Sequence, residues 1–474
     1  MRIEKVRPAV LDSGRIPETQ RKILLELAHF LGARQARGYV VGGFLRDYLL
    51  GKWSADIDVV VEGIAPTAVG RHLSRKPGFS GPVVFPRFKT VLVVGRGIQI
   101  EICPLEGDLG TDAARRDFTV NCLYADLRGF AQAPGRVPMV DPTAMARKDI
   151  KAGLLRPPAD ALSTLGLDPL RMLRAVRFYA TIGLAFTPGF RDAVERMAYL
   201  LTRVSAERIR SELEKILVSP RLAPSLRLMQ KTGILEIVVP ELAATYGFSQ
   251  KTPYHAYDLF THLVKTAGYL PPEAPLRLAG LLHDLGKTST QMAKDGRMVY
   301  YGHEKVSTEA AASIMRRLKF SRRSTELVSF LVANHMINYS SRWSDRAIRR
   351  FTRKMKANLD HVLALAQADL RAQRPGAAET SELGNLRRRI AEIDKGQAPG
   401  LLVPLNGRDV MEILGIREGP LVGKAKDHLL EEALNRNGRM TRAQATRILK
   451  KWAAAQGLSR ARGSRIDVDN TSRP

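Results

Sequence analysis

The stretch SADIDVVVEG, residues 54–63, decides the fold of the first part of the chain. Its continuous apolar run, 57–61, predicts a β-strand, and Asp56 and Asp58 stand at the beginning of this strand. Side chains two positions apart in a strand project from the same face, about 6 to 7 Å apart along the backbone. Two carboxylates in this arrangement can bind one divalent cation, because hard cations prefer oxygen ligands. An isolated Asp-x-Asp pair can also lie on a strand surface without binding anything, so the flanking sequence decides between the two interpretations.

The residues before this strand predict a helix, a second strand and a glycine turn. Apolar residues with helical spacing cover 23–31, and a strand is expected over 39–41. The turn is GGFLRD, residues 42–47, and it leads into a helix over 44–50. Glycines let the backbone approach phosphate groups, and the N-terminus of a helix attracts negative charge. Arg46 is placed to clamp a phosphate directly.

A β-hairpin is expected after the aspartate strand, over 90–94 and 99–102, with its turn at Gly95-Arg96-Gly97. Glu101 lies on the face opposite the isoleucines of the second hairpin strand, so it can join the aspartates as a third carboxylate. Three carboxylates that hold two Mg²⁺ ions suit phosphoryl transfer. One ion would lower the pKa of an attacking 3′-hydroxyl, and the other would neutralise charge on a triphosphate and its leaving pyrophosphate.

The composition points to a polyanionic partner. Lys and Arg number 75 against 47 Asp and Glu, which gives a net charge of +28 over 474 residues. This balance is typical of proteins that neutralise nucleic-acid phosphates, although a merely cationic or ribosome-associated protein has it too. The cysteines, Cys103 and Cys122, suggest neither a disulfide framework nor a thiolate metal site. Since the beginning of the chain lacks the apolar core of a signal peptide and no run is apolar enough to span a membrane, a cytoplasmic protein is expected.

A second concentration of charge lies on a predicted helix that follows Asp168-Pro169. Aspartate at the N-cap and proline at the first helical position are a typical helix beginning, so the helix is expected from Leu170 onward. Arginines then follow at three-residue steps, and each step of about −60° keeps them within about 120° of one helix face. They are Arg171, Arg174 and Arg177. A solvated basic face is the alternative interpretation.

The pair Asp168 and Arg171 is suited to distinguish bases without a template. Cytosine and adenine present an exocyclic amine beside a ring-nitrogen acceptor, whereas uracil and guanine present a carbonyl beside an N–H. Asp168 would accept from the amine while Arg171 donates to the ring nitrogen. A wrong base would leave buried partners unpaired at about 1 to 3 kcal/mol each, so CTP and ATP would be selected.

Four segments follow one another along the chain: GGFLRDYLLG (42–51), SADIDVVVEG (54–63), ARRDFTVNCLYADL (114–127) and DPLRMLRAVRFYATIGLAF (168–186). In this order and spacing they resemble the signature of class II tRNA nucleotidyltransferases and bacterial poly(A) polymerases. The resemblance implies an α+β fold, with a small mixed-sheet nucleotidyltransferase head of the polymerase-beta-like type followed by an extended all-α neck, HD and tail region. It also implies a template-independent enzyme that adds or repairs the 3′ CCA end of tRNA from CTP and ATP, releasing pyrophosphate.

The same resemblance assigns roles to residues of the head and of the arginine helix. Asp56 and Asp58 would bind the catalytic Mg²⁺ ions, with Glu101 as the third acid. Contacts with the incoming nucleotide are assigned to Gly42, Gly43, Arg46, Asp47, Arg116, Asp117, Asn121, Asp168, Arg171, Arg174 and Arg177. The macromolecular partner would be tRNA or another RNA 3′ end.

Two departures from the family pattern bear on the product. Leu167 stands where the family usually has an acidic residue, and the segment CPLEGDLGTDAA, 103–114, is short compared with members that carry a long flexible loop. A short loop resembles enzymes that add only the two cytidines, although short-loop members with an HD domain can form a subgroup with full activity. The alternatives are a poly(A) polymerase, an enzyme that adds only C or only A, and a non-catalytic RNA-binding protein whose HD domain senses a nucleotide.

Histidines concentrate in the middle of the chain, where five of nine fall between His255 and His335. HDLGK, residues 283–287, resembles the HD phosphohydrolase signature. The implied ligands are His262, His283, Asp284 and Asp369 for a first metal, and His303 and His335 for a second. Mixed imidazole and carboxylate ligands suit Mn²⁺, Ni²⁺ or Fe²⁺ as well as Mg²⁺. Such a centre would remove 2′,3′-cyclic or terminal phosphates from RNA, and a structural HD fold without hydrolysis is the alternative.

These signals divide the chain into five regions. The nucleotidyltransferase head is expected over 1–145, the helical neck with nucleotide- and RNA-binding residues over 146–235, and the HD metal-binding domain over 236–375. A C-terminal helical RNA-binding tail would cover 376–455, and a disordered basic tail 456–474. The sequence leaves the oligomeric state open.

Overall fold

The structure, a computed structural model, describes most of the chain and places it in two units. Described are residues 10–86, 89–132, 135–250, 257–295, 297–373, 381–395, 404–435 and 440–458. The first unit comprises residues 1–251 and 257–329, and the second comprises 252–256 and 330–474. The basic tail expected at the end of the chain lies outside the described residues from 459 onward. Among the described residues, no helix has the length and apolarity needed to cross a membrane.

An eight-stranded mixed sheet occupies the N-terminal part of the first unit. Its strands are β1 (Val10–Asp12), β2 (Arg37–Val41), β3 (Asp56–Glu62), β4 (Val83–Phe85), β5 (Thr90–Gly95), β6 (Ile98–Pro104), β7 (Tyr124–Asp126) and β8 (Arg136–Val140). Their spatial order is β1-β8-β7-β2-β3-β6-β5-β4. β3 and β6 run parallel, and every other neighbouring pair is antiparallel. The expected aspartate strand and the expected hairpin are therefore confirmed as β3 and as β5 with β6.

Six helices accompany this sheet. The helices expected over 23–31 and 44–50 are confirmed as the first two of them. In the first, Ile23, Leu24 and Leu27 are buried, as their helical spacing predicted. The helices are α1 (Glu18–Gly32), α2 (Gly43–Leu49), α3 (Pro66–Ser74), α4 (Leu109–Arg115), α5 (Arg128–Gln132) and α6 (Ala146–Ala152), with 3₁₀ turns at Ser13–Arg15 and Thr119–Asn121.

The rest of the first unit is mainly helical, as expected. Its helices are α7 (Ala161–Leu167), α8 (Arg171–Ile182), α9 (Pro188–Met197), α10 (Ala206–Leu217), α11 (Leu222–Lys231), α12 (Ile234–Val238), α13 (Pro240–Ala243), α14 (Leu259–Tyr269), α15 (Ala274–Leu282), α16 (Lys287–Thr290), α17 (His303–Arg317) and α18 (Arg322–Ala333), the last of which extends into the second unit. A 3₁₀ helix, Ala198–Arg203, follows α9. Two short sheets interrupt them, namely β9 (Leu154–Leu155) with β10 (Ala185–Phe186), and β11 (Met292–Lys294) with β12 (Arg297–Val299).

The arginine helix begins differently from the prediction. Asp168 is not its N-cap, because it ends α7 instead, and the N-cap of α8 is Leu170. The backbone N–H of Arg171 donates to the carbonyl of Asp168, and that of Met172 donates to the carbonyl of Pro169. These i→i+3 bonds make a tight turn before the helix, which moves its first residue to Arg171.

In the part of the second unit that the structure describes, there are six further helices and two apolar clusters. One cluster is centred on Ile348, Leu363 and Leu386, and the other on Val410 and Leu429. Capping boxes fix the beginnings of two helices, at residues 406–409 and 441–444. The helices are α19 (Asp345–Met355), α20 (Leu359–Gln373), α21 (Ser381–Lys395), α22 (Gly407–Leu414), α23 (Pro420–Asn435) and α24 (Arg442–Ala455), with a 3₁₀ turn at Lys356–Asn358.

Within the first unit, Arg277 of α15 binds the C-terminal end of α10. Its Nη1 donates to the carbonyl oxygens of Leu217 at 2.6 Å and Ser219 at 2.8 Å, and its Nε donates to that of Leu270 at 3.3 Å. The guanidinium is buried, which lowers its pKa. Helix C-termini leave carbonyl groups without intrahelical partners, and Arg277 supplies donors for them.

Arg277→Met is expected to lower the free energy of unfolding of the first unit by about 3 kcal/mol, because three carbonyl oxygens lose a buried donor. Urea unfolding followed by circular dichroism measures the change. Arg316→Met, at an exposed position of α17, is the matched control and should leave the midpoint unchanged. Equal midpoints for the two variants would contradict a stabilising role for Arg277.

Candidate active site

Three carboxylates lie side by side where β3 begins. The parallel register places Asp58 opposite Glu101, and Asp56 opposite Gln99. Desolvation raises the pKa of Asp58 and of Glu101, and the neighbouring carboxylates raise both values further, although Arg116 opposes this. Carboxylate oxygens close together, with negative charge that the arginines compensate only in part, are the ligand set that Mg²⁺ prefers, so these residues fit the expected metal.

The turn between β2 and α2 passes directly beside these acids. Gly42 has a φ of +70°, a conformation that L side chains rarely adopt. A Cβ atom at this position would lie 2.9 Å from Oδ2 of Asp58, so a side chain would displace the carboxylate. Gly42 was predicted to let the backbone approach a phosphate, and the structure shows that it also leaves room for Asp58.

A chain of charged and polar side chains connects α2 with α8. Arg46 donates from Nε to Oδ1 of Asp47 at 2.8 Å and from Nη1 to Oδ1 of Asn121 at 2.7 Å. Asn121 donates to Oδ1 of Asp117 at 2.8 Å. Oδ2 of Asp117 accepts two hydrogen bonds from Arg174, at 2.9 and 2.5 Å. Five of the predicted binding residues therefore form one connected network whose members orient one another.

Asp117 is the buried anion of this network. Burial raises its pKa, but the charge of Arg174 and hydrogen bonds from Asn121 and Arg174 outweigh burial and lower the pKa to about 2. Both carboxylate oxygens accept hydrogen bonds from protein donors, since the N–H of Phe118 also donates to Oδ1 at 2.8 Å. Asp117 is thus ionised at any ordinary pH and holds Arg174 in place.

A cleft of about 400 Å³ opens at the carboxylates. Of the predicted residues, its lining includes Gly43, Arg46, Asp47, Asp56, Asp58, Glu101, Asn121, Arg174 and Arg177. Its lining does not include Gly42, Arg116, Asp117, Asp168 and Arg171. Five lining residues were absent from the prediction: Ser54, Leu92, Gln99, Phe178 and Lys215. The strand alternation that placed Glu101 also places Gln99 on the same face, whereas Lys215 comes from α10 and had no local signal.

Arg116 forms a separate group with Asp112 and Tyr124. Its Nε and Nη2 donate to Oδ2 of Asp112 at 3.0 and 2.9 Å, and its Nε also donates to the hydroxyl of Tyr124 at 2.9 Å. The hydroxyl of Tyr124 donates to the same oxygen of Asp112 at 2.6 Å. From this position the charge of Arg116 lowers the pKa of Asp58. The triphosphate contact expected of Arg116 stays a prediction.

The predicted base-reading pair is bound to other protein groups. Oδ2 of Asp168 lies 2.9 Å from Nη2 of Arg208. Arg171 donates to the carbonyl oxygens of Thr164 at 3.3 Å and of Arg115 at 2.5 Å. An ion pair on the surface contributes only about 0 to 1 kcal/mol, so a base can displace Arg208 at little cost. Base reading by Asp168 and Arg171 stays a prediction.

A second cluster lies at the C-terminal end of α15, next to α14. Nε2 of His262 and Nε2 of His283 are 3.4 Å apart, and they lie 3.6 and 3.3 Å from Oδ2 of Asp284. All three residues are buried. Ligand atoms about 2.1 Å from a metal ion are about 3.0 Å apart at octahedral angles and about 3.4 Å apart at tetrahedral angles. The triangle therefore fits a first-row divalent metal.

Two further residues contact Asp284. Nε2 of His303 lies 3.1 Å from Oδ1 of Asp284, and Nζ of Lys287 lies 2.6 Å from Oδ2. Nδ1 of His303 is 2.7 Å from the carbonyl oxygen of Tyr300, which fixes the ring. Burial raises the pKa of Asp284, but His283 and Lys287 outweigh burial and hold the pKa well below its usual range. The carboxylate is therefore ionised, as a metal ligand must be.

The glycine of HDLGK sets how closely α17 approaches this cluster. A Cβ on Gly286 would collide with the carbonyl oxygen of His303, and the N–H of Gly286 donates to Oγ of Ser307 at 2.9 Å. The structure thus brings four of the six predicted HD ligands together. His335 and Asp369 belong to the second unit, and their role in this centre stays a prediction.

Three family descriptions match parts of the chain. "Poly A polymerase head domain" matches residues 38–107, which contain β3 to β6 and the carboxylates of the cleft. "Probable RNA and SrmB- binding site of polymerase A" matches residues 183–245. "HD domain" matches residues 254–372, which contain the histidine cluster.

Two curated relatives match over most of their length. The CC-adding tRNA nucleotidyltransferase of Thermus thermophilus is 34% identical over 430 residues, which is 87% of this chain and 93% of the relative. The A-adding tRNA nucleotidyltransferase of Deinococcus radiodurans is 33% identical over 437 residues, which is 87% of this chain and 95% of the relative.

Among solved structures, the Bacillus stearothermophilus CCA-adding enzyme in complex with CTP matches with a TM-score of 0.63 at 24% identity. The match covers 93% of this chain and 99% of that one. At this identity the likeness concerns the fold alone. It confirms the expected α+β fold with a small mixed-sheet head followed by a helical region.

Asp117→Asn is expected to destabilise the protein in a pH-dependent way. Because the folded-state pKa of about 2 lies below the ordinary value of 3.8, ionised Asp117 contributes stability at higher pH that is lost as the pH falls through about 2. The shift corresponds to about 2 kcal/mol. Urea unfolding of the wild type and the variant should show a constant difference from about pH 7 to about pH 5 and a clearly smaller one near pH 3.

The control is Asp192→Asn, an exposed carboxylate on α9, which should show no such pH dependence. A difference between the wild type and Asp117→Asn that stays the same down to about pH 3 would refute the assigned pKa.

Proposed function

The chain belongs to the family of tRNA nucleotidyltransferases and poly(A) polymerases, and from this premise we propose that it builds or repairs the complete 3′ CCA end of tRNA. The substrates would be CTP, ATP and the 3′-hydroxyl of the tRNA, and the leaving product would be pyrophosphate. The observation that carries the proposal is one cleft whose lining joins Asp56, Asp58 and Glu101 with four cations from α2, α8 and α10. Such a lining suits a triphosphate that must react with a hydroxyl beside a metal site.

The acids provide the metal-binding side of the cleft. Enzymes of this family use divalent metal ions, and Mg²⁺ is our proposal for this chain. Asp56, Asp58 and Glu101 would hold such ions, which would lower the pKa of an attacking 3′-hydroxyl and neutralise charge on the triphosphate. Without such ions, desolvation and then the repulsion of neighbouring carboxylates raise the pKa values of Asp58 and Glu101. A bound cation would relieve this repulsion.

The arginines provide the phosphate-binding side. Arg46, Arg174 and Arg177 line the cleft, and each guanidinium is held by a carboxylate of the protein. A guanidinium that is already oriented loses little conformational freedom when a phosphate binds. Gly42 keeps the backbone close to Asp58, so a phosphate beside this turn lies next to the metal site.

Base selection is proposed for Asp168 and Arg171. Cytosine and adenine match an acceptor beside a donor, which these two side chains offer. Asp168 would exchange Arg208 for the exocyclic amine, and Arg171 would exchange the carbonyl of Thr164 for the ring nitrogen. Since the pair with Arg208 is exposed, the exchange costs little.

An enzyme that adds only the two cytidines is the second candidate. The connection between β6 and α4 consists of residues 105–108 only, which leaves no room for a long flexible loop. The names of the two relatives, which are similarly identical to this chain, differ in the nucleotides added: one is named for adding CC and the other for adding A. The complete product remains our proposal because both cytosine and adenine fit the same pair of side chains.

The experiment that separates these products uses purified protein with tRNA lacking CCA, lacking CA or lacking A, each with labelled CTP, ATP or both. Completion of all three ends supports the proposal. Extension that stops after the second cytidine supports the second candidate. Long A tails on unrelated RNAs would indicate a poly(A) polymerase, and no incorporation would leave only an RNA-binding role.

Asp56→Asn with Asp58→Asn is expected to reduce nucleotide incorporation by about 10³-fold or more, because the metal ligands of the reacting centre are lost. Incorporation is measured by extension of labelled tRNA. Asp192→Asn changes an exposed residue of α9 that does not line the cleft, so it serves as the control and should be as active as the wild type. Incorporation by the double variant at more than a tenth of the wild-type rate would exclude the assigned metal site.

We propose a second activity for the HD centre, the hydrolysis of 2′,3′-cyclic or terminal phosphates at RNA ends. It is supported by the triangle of His262, His283 and Asp284, whose edges suit a divalent metal. Mn²⁺, Ni²⁺ and Fe²⁺ fit such a mixed ligand set as well as Mg²⁺. Removal of a terminal phosphate would expose the free hydroxyl that the head extends.

His262→Ala with His283→Ala is expected to remove bound transition metal and to abolish hydrolysis of 2′,3′-cyclic phosphate, while nucleotide incorporation stays within about twofold of the wild type. Metal content is measured by mass spectrometry, and hydrolysis by chromatographic separation of the cyclic phosphate from its ring-opened phosphomonoester. His29→Ala, an exposed histidine of α1, is the control. Unchanged metal content in the double variant would disprove the ligand assignment, and retained metal without any hydrolysis in the wild type would leave a structural role.

A further inference from the structure

α10 carries a buried acid and a lysine that no sequence motif singled out. Glu212 is buried, and its two carboxylate oxygens face two different cations. Oε2 lies 2.9 Å from Nε of Arg177, and Oε1 lies 3.5 Å from Nζ of Lys215. Arg177 and Lys215 both line the cleft, whereas Glu212 does not. One buried carboxylate therefore controls two cations that face the nucleotide cleft.

Lys215 differs from the other cations of the cleft. Arg46, Arg174 and Arg177 lie 2.8, 2.5 and 2.9 Å from protein carboxylates, and their side chains are 11%, 36% and 21% exposed. Lys215 lies farther from its carboxylate, at 3.5 Å, and its side chain is 51% exposed. Of the four cations that line the cleft, the ammonium group of Lys215 can therefore move most readily toward a bound anion.

Glu212 is an expensive residue to bury. A carboxylate in the protein interior costs several kcal/mol unless cations and hydrogen bonds compensate it. Arg177 provides this compensation and is in turn restricted on a second side, where its guanidinium carbon lies 4.6 Å from the ring centroid of Phe178. An apolar residue at position 212 would fill the same space between α8 and α10 without this cost. Only a charged or polar residue at this position can fix the direction of Arg177 and attract Lys215 to the same edge of the cleft.

We propose that Lys215 contacts a phosphate group of the ligand in this cleft and that Glu212 is the positioning residue that aims Lys215 and Arg177 at it. The inference rests on the proposed function, because the cleft must hold a nucleotide. The phosphate belongs either to the triphosphate of the incoming nucleotide or to the terminal phosphodiester of the RNA. Both present the same anionic oxygens to an ammonium group.

Lys215→Ala tests the contact with a variant that leaves the core intact, since the side chain is half exposed. Steady-state incorporation is measured with CTP varied at saturating tRNA, and with tRNA varied at saturating CTP. Loss of a charged hydrogen bond is expected to raise one KM about 10-fold while kcat changes less than about threefold. A rise in the KM for CTP assigns the triphosphate, and a rise in the KM for tRNA assigns the RNA phosphodiester. Unchanged values of both overturn the proposal.

Two companion variants make the result specific. Lys215→Arg should restore most of the lost affinity, because it keeps the positive charge. Lys231→Ala removes an exposed lysine of α11 that has no part in the lining and should behave as the wild type. If Lys231→Ala raises the same KM as Lys215→Ala, the effect is one of net charge and the contact is refuted.

Glu212→Gln tests the positioning role, because it keeps the shape and one acceptor but removes the charge. The same KM is expected to rise, and the double variant with Lys215→Ala should be less impaired than the product of the two single effects. A purely structural glutamate would lower the melting temperature and leave the KM unchanged, which would overturn this role. Failure of the wild type to extend any tRNA would reject the proposed function itself, so the two failures are distinguishable.

Discussion

Carboxylates on adjacent parallel strands repel one another in the lining of the cleft, and the positively charged residues around them reduce this repulsion. Asp58 and Glu101 cannot separate, because the register of β3 and β6 fixes them opposite each other. Desolvation raises the pKa values of both groups, and this repulsion raises them further. Arg116 lowers the pKa of Asp58 by its charge but is itself paired with Asp112. Protein cations thus reduce the repulsion only in part, and divalent metal ions can reduce the remainder.

α8 orients the arginines that line the cleft beside these carboxylates. Its three-residue spacing presents one arginine to each neighbouring part of the unit, since Arg174 pairs with Asp117 of the head and Arg177 pairs with Glu212 of α10. The guanidinium groups therefore have defined directions before any phosphate is present. Preorganised charge of this kind avoids a reorganisation cost during the reaction, which is how electrostatic stabilisation of a transition state becomes effective. The same helix fixes the head against the helical region at the cleft.

Sequence reasoning succeeded where the pattern is local and failed where partners are distant. The alternation of β3 and β6 sufficed to predict Asp56, Asp58 and Glu101 on one side of the sheet. The partners of the arginines were not predicted, because Asp117 lies 57 positions before Arg174 and no local pattern joins them. Glu212 was missed for the same reason, as an acid on an amphipathic helix usually faces solvent. The N-cap assignment of Asp168 was wrong because propensity does not show whether a turn closes before the helix.

The two candidate centres share a pair of helices whose separation is fixed. α10 supplies Lys215 to the cleft. Its C-terminal carbonyls are bound by Arg277 of α15, the helix whose C-cap is His283. Sliding one helix along the other would break buried hydrogen bonds to a charged group, at about 1.5 to 3 kcal/mol each. This part of the protein therefore cannot carry a substrate from one centre to the other by rearranging these helices. Under the proposed second activity, an RNA end dephosphorylated at the HD centre would reach the cleft by its own movement, for which a single-stranded 3′ end has the conformational freedom.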